Sequence, residues 1–139
     1  MTWESDLDRA ARANHADPMV RAFAKALRAN TAPTVAPQVL TAWVRRLPYR
    51  FDGERHRIAS LRTCFRRGYG ACADAAALVA AVAKLNGEDA AVCYERVDSL
   101  PDYAHVRAVW RGWACDPWPE RSFAVDECAL VIRVLRDVR

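Results

Sequence analysis

A cysteine, a histidine and an aspartate, at positions 72, 105 and 116, are the residues of this 139-residue chain best suited to chemistry. Cys72 follows a short stretch with two glycines and opens an alanine-rich segment. A helix N-terminus stabilises a thiolate, which is the nucleophilic form of cysteine, and its backbone N–H groups could hold an oxyanion. The alternative interpretation is that a cysteine among alanines is a small residue of the hydrophobic core.

His105 and Asp116 are predicted to share one face of a β-hairpin. If Arg111-Gly112 is the two-residue turn of that hairpin, the register places Asp116 opposite Arg107. His105 lies two residues from Arg107, so it projects from the same face as Asp116. The imidazole and the carboxylate then become diagonal neighbours, with roughly 7 Å or less between their Cβ atoms, and a hydrogen bond can join them.

Each of the three residues also has an ordinary interpretation. A lone histidine is commonly a structural or surface residue, and an aspartate before Pro117 is commonly a turn residue. A metal site built from Cys72, His105 and Asp116 is a further alternative, although the helix-opening position of the cysteine suits a nucleophile better. Those separate interpretations leave unexplained why the histidine and the aspartate share a face that could meet the cysteine.

The elements that would position these residues change character midway along the chain. A first helix is predicted from Ser5, which forms a capping box with Asp8, and a second over 17–30, after the Asp17-Pro18 cap. Further helices are predicted over 39–47 and around 57–64. The alanine-rich residues 72–85 are predicted to form a buried central helix. Residues 49–71 otherwise have the pattern of a long surface segment. Short strands are predicted over 90–94, 104–110, 112–116 and 128–135. Helices followed by antiparallel strands predict an α+β fold.

Composition limits the chain to a single domain and excludes several classes of protein. Hydrophobic residues at 53% and charged residues at 27% exclude a wholly disordered chain. The longest apolar run, Ala75–Ala83, has nine residues, too few to span a membrane. The acidic N-terminus lacks an apolar signal segment, and five cysteines without a C-x-x-C motif disfavour a disulfide framework. We therefore expect a cytoplasmic protein in which the cysteines other than Cys72 are reduced core residues.

The net charge of +4 is concentrated in one segment. Residues 45–67 hold eight arginines against Asp52 and Glu54, so the rest of the chain is slightly acidic. A solvated face is the default interpretation of this arginine segment. It could instead favour an acidic substrate or dock an acidic partner or a nucleic acid, although no nucleic-acid-binding module matches.

Taken together, the motifs resemble the transglutaminase-like core of the papain-like thiol enzymes, over about residues 37–118. The family pattern is G-x-C-x-D-x-A, a helix ending near glycine, H-x-x-x-x-[WY], and a short strand ending in Asp-Pro. The matching stretches are Gly70-Ala-Cys72-Ala-Asp74-Ala-Ala, Leu85-Asn-Gly87, Ala104-His105-Val-Arg-Ala-Val-Trp110 and Gly112-Trp113-Ala-Cys-Asp116-Pro117, with Trp43 to Asp52 upstream. Cys115 departs from the pattern, since a large aliphatic residue is usual there.

This resemblance implies a papain/transglutaminase-like fold with a core over about 37–135 and an N-terminal helical extension over 5–30. It implies a Cys72–His105–Asp116 triad that acts on amide or isopeptide bonds through a thioacyl-enzyme, by hydrolysis or transamidation, with no cofactor and no metal. The expected partner is a protein or peptide substrate. Trp43 and Tyr49 are candidates for a second oxyanion donor, and both are also candidates for the core.

Two other functions stay open on the sequence alone. The chain could be a catalytically idle module of the same fold in a phage or bacterial assembly, which would place it on a virion or beside a protein partner. It could also bind nucleic acid through the arginine segment, which is the least favoured of the three. The state of the Cys72 thiol separates the first two, and salt-dependent binding separates the third.

Overall fold

The computed structural model describes residues 2–52, 56–97, 100–118 and 130–138, and these residues form an α+β fold. Within them the chain folds into five helices followed by four strands, as the change of pattern predicts. The helices are α1 (Trp3–Ala16), α2 (Pro18–Asn30), α3 (Ala36–Val44), α4 (Leu61–Arg67) and α5 (Cys72–Leu85). The strands are β1 (Ala91–Val97), β2 (Leu100–Trp110), β3 (Trp113–Cys115) and β4 (Leu130–Ile132).

The two N-terminal helices pack against α5 rather than standing apart from the core. The predicted start of α1 at Ser5 is wrong, because Thr2 is the N-cap and its hydroxyl accepts a hydrogen bond from the N–H of Ser5 at 3.2 Å. The predicted start of α2 is confirmed, since the Asp17 carboxylate accepts from the N–H of Met19 at 2.8 Å. The fully buried face of α1 includes Leu7, Ala10 and Ala11.

The next two helices begin and end at other residues than the sequence pattern predicts. α3 begins earlier, because Pro37 lies in its first turn, where the missing N–H costs no hydrogen bond. α4 begins after Ser60 instead of near residue 57, and its N-cap hydroxyl accepts from the N–H of Thr63. It ends at Gly68, whose φ of 84° is the left-handed conformation that glycine favours.

Helix α5 is the centre of the fold and has the predicted bounds. Every residue from Asp74 to Ala83 is buried, and the helix contacts the other four helices as well as β1 and β2. An alanine-rich helix lets its neighbours approach closely on all sides, which explains the absence of a polar stripe. The first residue of this central helix is Cys72.

The described strands form one antiparallel sheet in the order β3-β2-β1-β4. Trp110 pairs with Trp113 across the predicted two-residue turn, in which Arg111 and Gly112 have φ values of 53° and 75°. Two positive φ values are typical of a type I′ turn, which fits the right-handed twist of a hairpin. The register predicted for this hairpin is therefore confirmed. None of the described helices is long and apolar enough to cross a membrane.

The predicted surface segment over 49–71 has many exposed residues, but residues 58, 59 and 61 depart from that prediction. Ile58, Ala59 and Leu61 are buried, and each donates its backbone N–H to a buried side chain. The acceptors are Asp6 at 3.0 Å, Asp74 at 2.7 Å and Asn14 at 2.7 Å, respectively. Two of these three acceptors lie on α1, so the N-terminal helix is part of the core.

Candidate functional site

The structure brings the imidazole of His105 and the carboxylate of Asp116 into direct contact. Nε2 of His105 donates a hydrogen bond to Oδ2 of Asp116 at 2.7 Å. His105 lies in β2 and Asp116 directly follows β3, so the confirmed hairpin register produces this diagonal pair. His105 is only 5% exposed, and a hydrogen bond in such a site is little weakened by solvent.

The side chain of Cys72 is a second hydrogen-bond partner of His105. Burial alone would lower the pKa of His105, but the hydrogen bonds to Asp116 and Cys72 and the negative charges of those two groups outweigh it and raise that pKa to about 10. The imidazole is therefore protonated at neutral pH.

Cys72 itself occupies the first turn of α5 and is 9% exposed. The first N–H groups of a helix have no acceptor within that helix, and Ala71 at the N-cap has no side-chain oxygen to offer them. The approach to the helix passes Gly70, where an added Cβ would lie 3.3 Å from the Trp118 ring. Cys72 therefore lies at the unpaired N-terminal end of a helix, and His105 is its side-chain partner.

Residues 45–49 contact both the segment that follows Asp116 and the segment that precedes Cys72. Arg45 donates to the carbonyl of Pro117 at 2.7 Å, and the indole N–H of Trp118 donates to the carbonyl of Leu47 at 3.2 Å. Tyr49 pairs with Gly70 through a parallel β-bridge, and its ring packs on Trp118 with 5.4 Å between centroids. The residues after Asp116 and those before Cys72 are thus tied to the same short stretch.

The two upstream aromatic candidates for an oxyanion donor lie in different places. Trp43 packs between Phe23 and Phe65, with ring centroids 4.5 Å and 5.9 Å away, so it is a packing residue of α2, α3 and α4. Tyr49 lies beside Gly70 and Trp118, next to the approach to Cys72. Of the two, Tyr49 is the one near the site.

Sequence reasoning missed a buried carboxylate at the start of α5. Asp74 is 4% exposed and accepts hydrogen bonds from the N–H of Ala71 at 2.8 Å, the N–H of Ala59 at 2.7 Å and Nε2 of His56 at 3.1 Å. Arg67 forms a close ion pair with the same oxygen. The only signal in the sequence was the aspartate two residues after Cys72 in the family pattern, and no role followed from it.

The other described cysteines differ from Cys72. Cys64 and Cys115 are buried free thiols, and burial raises the pKa of both; for Cys64, aided by the Asp74 charge, it reaches about 12. Cys93 is 1% exposed, which confirms it as a core residue, but it is disulfide-bonded, so the prediction that it is reduced is wrong. Cys128 lies outside the described residues. Among the described free thiols, Cys72 is the one with an imidazolium partner.

The arginine segment is largely engaged within the molecule, because most of its arginines contact carboxylates or carbonyls of this chain. Arg55 lies outside the described residues. These contacts join Arg45 to Pro117, Arg50 to Asp52, Arg57 to Asp6, Arg62 to Asp17 and Arg67 to Asp74. Charge that is neutralised by internal partners contributes little to attracting a polyanion.

Comparisons with known proteins found no family model, no curated protein and no solved structure that matches this chain. Within the described part of the chain, no group of three or more His, Cys, Asp or Glu side chains is placed to hold a metal ion. The functional interpretation therefore depends on the motifs and on the geometry of the residues themselves.

Proposed function

We propose that this chain is a thiol-dependent enzyme of the papain/transglutaminase-like kind that acts on amide or isopeptide bonds of a protein or peptide. The observation that carries the proposal is the contact chain from Cys72 through His105 to Asp116. A cationic imidazole beside the sulfur favours the thiolate, and the carboxylate orients the ring. The order of residues along the chain and the position of Cys72 at the start of a buried helix support the same assignment.

The first half of the proposed reaction forms a thioester. The Cys72 thiolate attacks the carbonyl carbon of the amide, and the oxygen of the tetrahedral intermediate takes up the negative charge. In this proposal the backbone N–H of Cys72, at the start of α5, donates to that oxygen. When the C–N bond breaks, the protonated His105 gives its proton to the departing amine, which leaves as a neutral molecule.

The second half returns the enzyme to its starting state. His105, now neutral, takes a proton from water or from an amine as that nucleophile attacks the thioester carbon. The C–S bond breaks and the Cys72 thiolate leaves, while the acyl group departs as an acid or as a new amide. Asp116 stays ionised and holds the ring of His105 in place during both halves.

A second candidate function is a catalytically idle module of the same fold. The observation that favours it is the 9% exposure of Cys72, which leaves little of the residue open to a substrate. An idle module would keep the fold and the buried hydrogen bonds but would not need a reactive sulfur. The reactivity of Cys72 therefore separates the two candidates.

Alkylation by iodoacetamide, followed against pH and located by peptide mass mapping, tests the proposal. We expect Cys72 in the parent chain to react below pH 7, where N-acetylcysteine reacts slowly, because the adjacent imidazolium stabilises the thiolate. His105→Ala should slow alkylation at pH 6 by about tenfold or more, while leaving the rate at pH 9 much closer to that of the parent. Cys72→Ala should abolish the low-pH labelling.

Cys64 and Cys115 serve as internal controls, because both are buried free thiols with raised pKa values. They should stay unlabelled under the conditions that label Cys72. A Cys72 profile that coincides with that of N-acetylcysteine, or low-pH labelling that persists in Cys72→Ala, contradicts the enzyme proposal and favours the idle module.

A further inference from the structure

We infer that Asp74 is a positioning residue, whose buried carboxylate ties the segment before α5 to the first turn of that helix and so fixes the Cys72 sulfur against His105. The inference rests on the proposed function, because it concerns the same sulfur. It assigns a role to a residue that does not itself touch the reacting atoms.

The contacts of Asp74 reach both sides of the Cys72 peptide. Oδ2 accepts from the N–H of Ala71, the residue before Cys72, at 2.8 Å, and the Asp74 backbone lies two residues after Cys72 in the same helical turn. Cys72 is therefore enclosed by a ring of chain that the carboxylate closes. Such a closed turn restricts the φ and ψ angles that set the direction of the Cys72 side chain.

The same carboxylate is held from outside the helix by three donors. Ala59 donates its N–H to Oδ1 at 2.7 Å, while His56 Nε2 at 3.1 Å and the guanidinium of Arg67 donate to Oδ2. His56 is itself nearly buried, with its side chain 3% exposed, and its other ring nitrogen lies 4.0 Å from Asp52. The carboxylate thus cannot move without disturbing residues 56–71.

Asp6 offers a matched comparison elsewhere in the protein. It is also a buried carboxylate, it accepts the N–H of Ile58 at 3.0 Å, and it pairs with Arg9 at 2.7 Å. Asp6 lies on α1 and binds the N–H of Ile58, the residue before the Ala59 that Asp74 binds. Asp6 makes none of the contacts that enclose Cys72. Loss of either carboxylate should destabilise the protein, whereas only loss of Asp74 should disturb the sulfur.

The direction of the effect separates positioning from simple electrostatics. Removing a negative charge near Cys72 would by itself stabilise a thiolate and extend alkylation to lower pH. Releasing the turn that aims the sulfur at His105 would do the opposite, because the thiolate would lose its imidazolium partner. The titratable and charged groups that face Asp74 are His56, Arg67 and Cys64, and all three are retained in the variants compared first.

The test measures the pH profile of Cys72 alkylation by iodoacetamide in the full chain, together with urea unfolding, for Asp74→Asn and Asp6→Asn. We expect Asp74→Asn to slow alkylation at pH 6 by about tenfold while changing the rate at pH 9 by less than about threefold. Asp6→Asn should lower the unfolding midpoint and leave the profile unchanged. If Asp74→Asn does not fold, His56→Ala replaces it, and we expect a smaller loss of the Cys72 alkylation rate at pH 6.

The outcomes distinguish this inference from the proposed function. A parent chain without low-pH alkylation overturns both. A parent chain that reacts at low pH, with a profile that is unchanged or shifted to lower pH in Asp74→Asn (or unchanged in His56→Ala), overturns the role of Asp74 alone. An equal loss in Asp6→Asn would also overturn it, because the effect would then follow stability.

Discussion

At the scale of single residues, His105 lies between the proposed nucleophile, Cys72, and the carboxylate of Asp116. Its ring is 5% exposed, bonds to Asp116 at 2.7 Å, and has a pKa raised to about 10 although burial alone would lower it. A buried imidazolium is stable only where negative groups face it. Cys72 and Asp116 supply these groups from a helix and a hairpin that are far apart in sequence.

Replacement of Asp116 by asparagine tests whether the charge of this carboxylate raises the pKa of His105. Asparagine keeps the shape of the side chain and removes its charge, so the pKa of His105 should fall by about one pH unit or more. NMR titration of the His105 ring measures the change directly. A ring that titrates at the same pH in Asp116→Asn and in the parent would contradict the role assigned to the carboxylate.

The stability of the fold should depend on pH in a defined direction because of the same pair. The folded state binds the His105 proton more tightly than the unfolded chain, whose histidine titrates near about 6.5. The stabilising contribution is therefore complete below that pH and is lost as the pH rises through about 10. Urea unfolding of the parent and of Asp116→Asn should therefore show a larger loss of free energy of unfolding in the variant at pH 6 than above pH 10.

At the scale of elements, the hairpin and the central helix follow from local sequence, while the segment between α3 and α5 does not. Arg111 and Gly112 form a turn whose length alone sets the register, and that register places His105 beside Asp116. The bounds of α5 follow from its uninterrupted alanine-rich pattern and its terminal Asn86-Gly87. These features depend on residues close together in the chain.

The sequence pattern does not predict the buried residues within 56–61, because distant side chains hold this part of the chain in place. Its backbone donors are satisfied by Asp6, Asn14 and Asp74, which lie between 15 and 52 residues away in sequence. Periodicity reports which face of an element is apolar and does not register a side chain that accepts a remote N–H. The contacts of Asp74 cannot be predicted for the same reason, although Asp74 belongs to the motif that resembles the family pattern.

Replacement of Asn14 by alanine tests whether α1 is part of the core. Asn14 is fully buried and accepts the N–H of Leu61 at 2.7 Å, so its loss leaves a buried donor without this acceptor. We expect a fall of about 1–3 kcal/mol in the free energy of unfolding, measured with urea. Asn30→Ala, at the exposed end of α2, is the control and should change stability by less than about 0.5 kcal/mol.

An Asn14→Ala protein as stable as the parent would mean that α1 contributes little through this contact. The helix would then be an accessory to the domain, as the resemblance alone implies for residues 5–30. The observed burial of Leu7, Ala10 and Ala11 leads us to expect the opposite result.

At the scale of the whole molecule, much of the positive charge of the 45–67 segment is paired with carboxylates of the same chain. Arginines of the 45–67 segment pair with Asp6, Asp17, Asp52 and Asp74, on α1, before α2, after α3 and on α5. Surface ion pairs of this kind contribute little individually, whereas the Arg67–Asp74 pair is partly buried and lies at the start of α5. A net charge read from the sequence cannot show which arginines have partners.

The central helix α5, the β2–β3 hairpin and the segment between α3 and α5 meet near Cys72, where α5 begins. The sequence was sufficient to predict the α+β class, the helix and the hairpin register, because each depends on local pattern and turn chemistry. It was insufficient for the disulfide of Cys93 and for the contacts of Asp74, because both depend on residues brought together by folding.

The measurement that most directly tests the central claim is acyl transfer to Cys72 from p-nitrophenyl acetate. The parent chain should release a burst of about one equivalent of p-nitrophenolate, carry the acetyl group on Cys72 by peptide mass mapping, and then turn over slowly as water releases the thioester. Cys72→Ala should show no burst, and His105→Ala should lose the turnover. An acetyl group absent from Cys72, or deacylation that is as fast in His105→Ala as in the parent, would contradict the account.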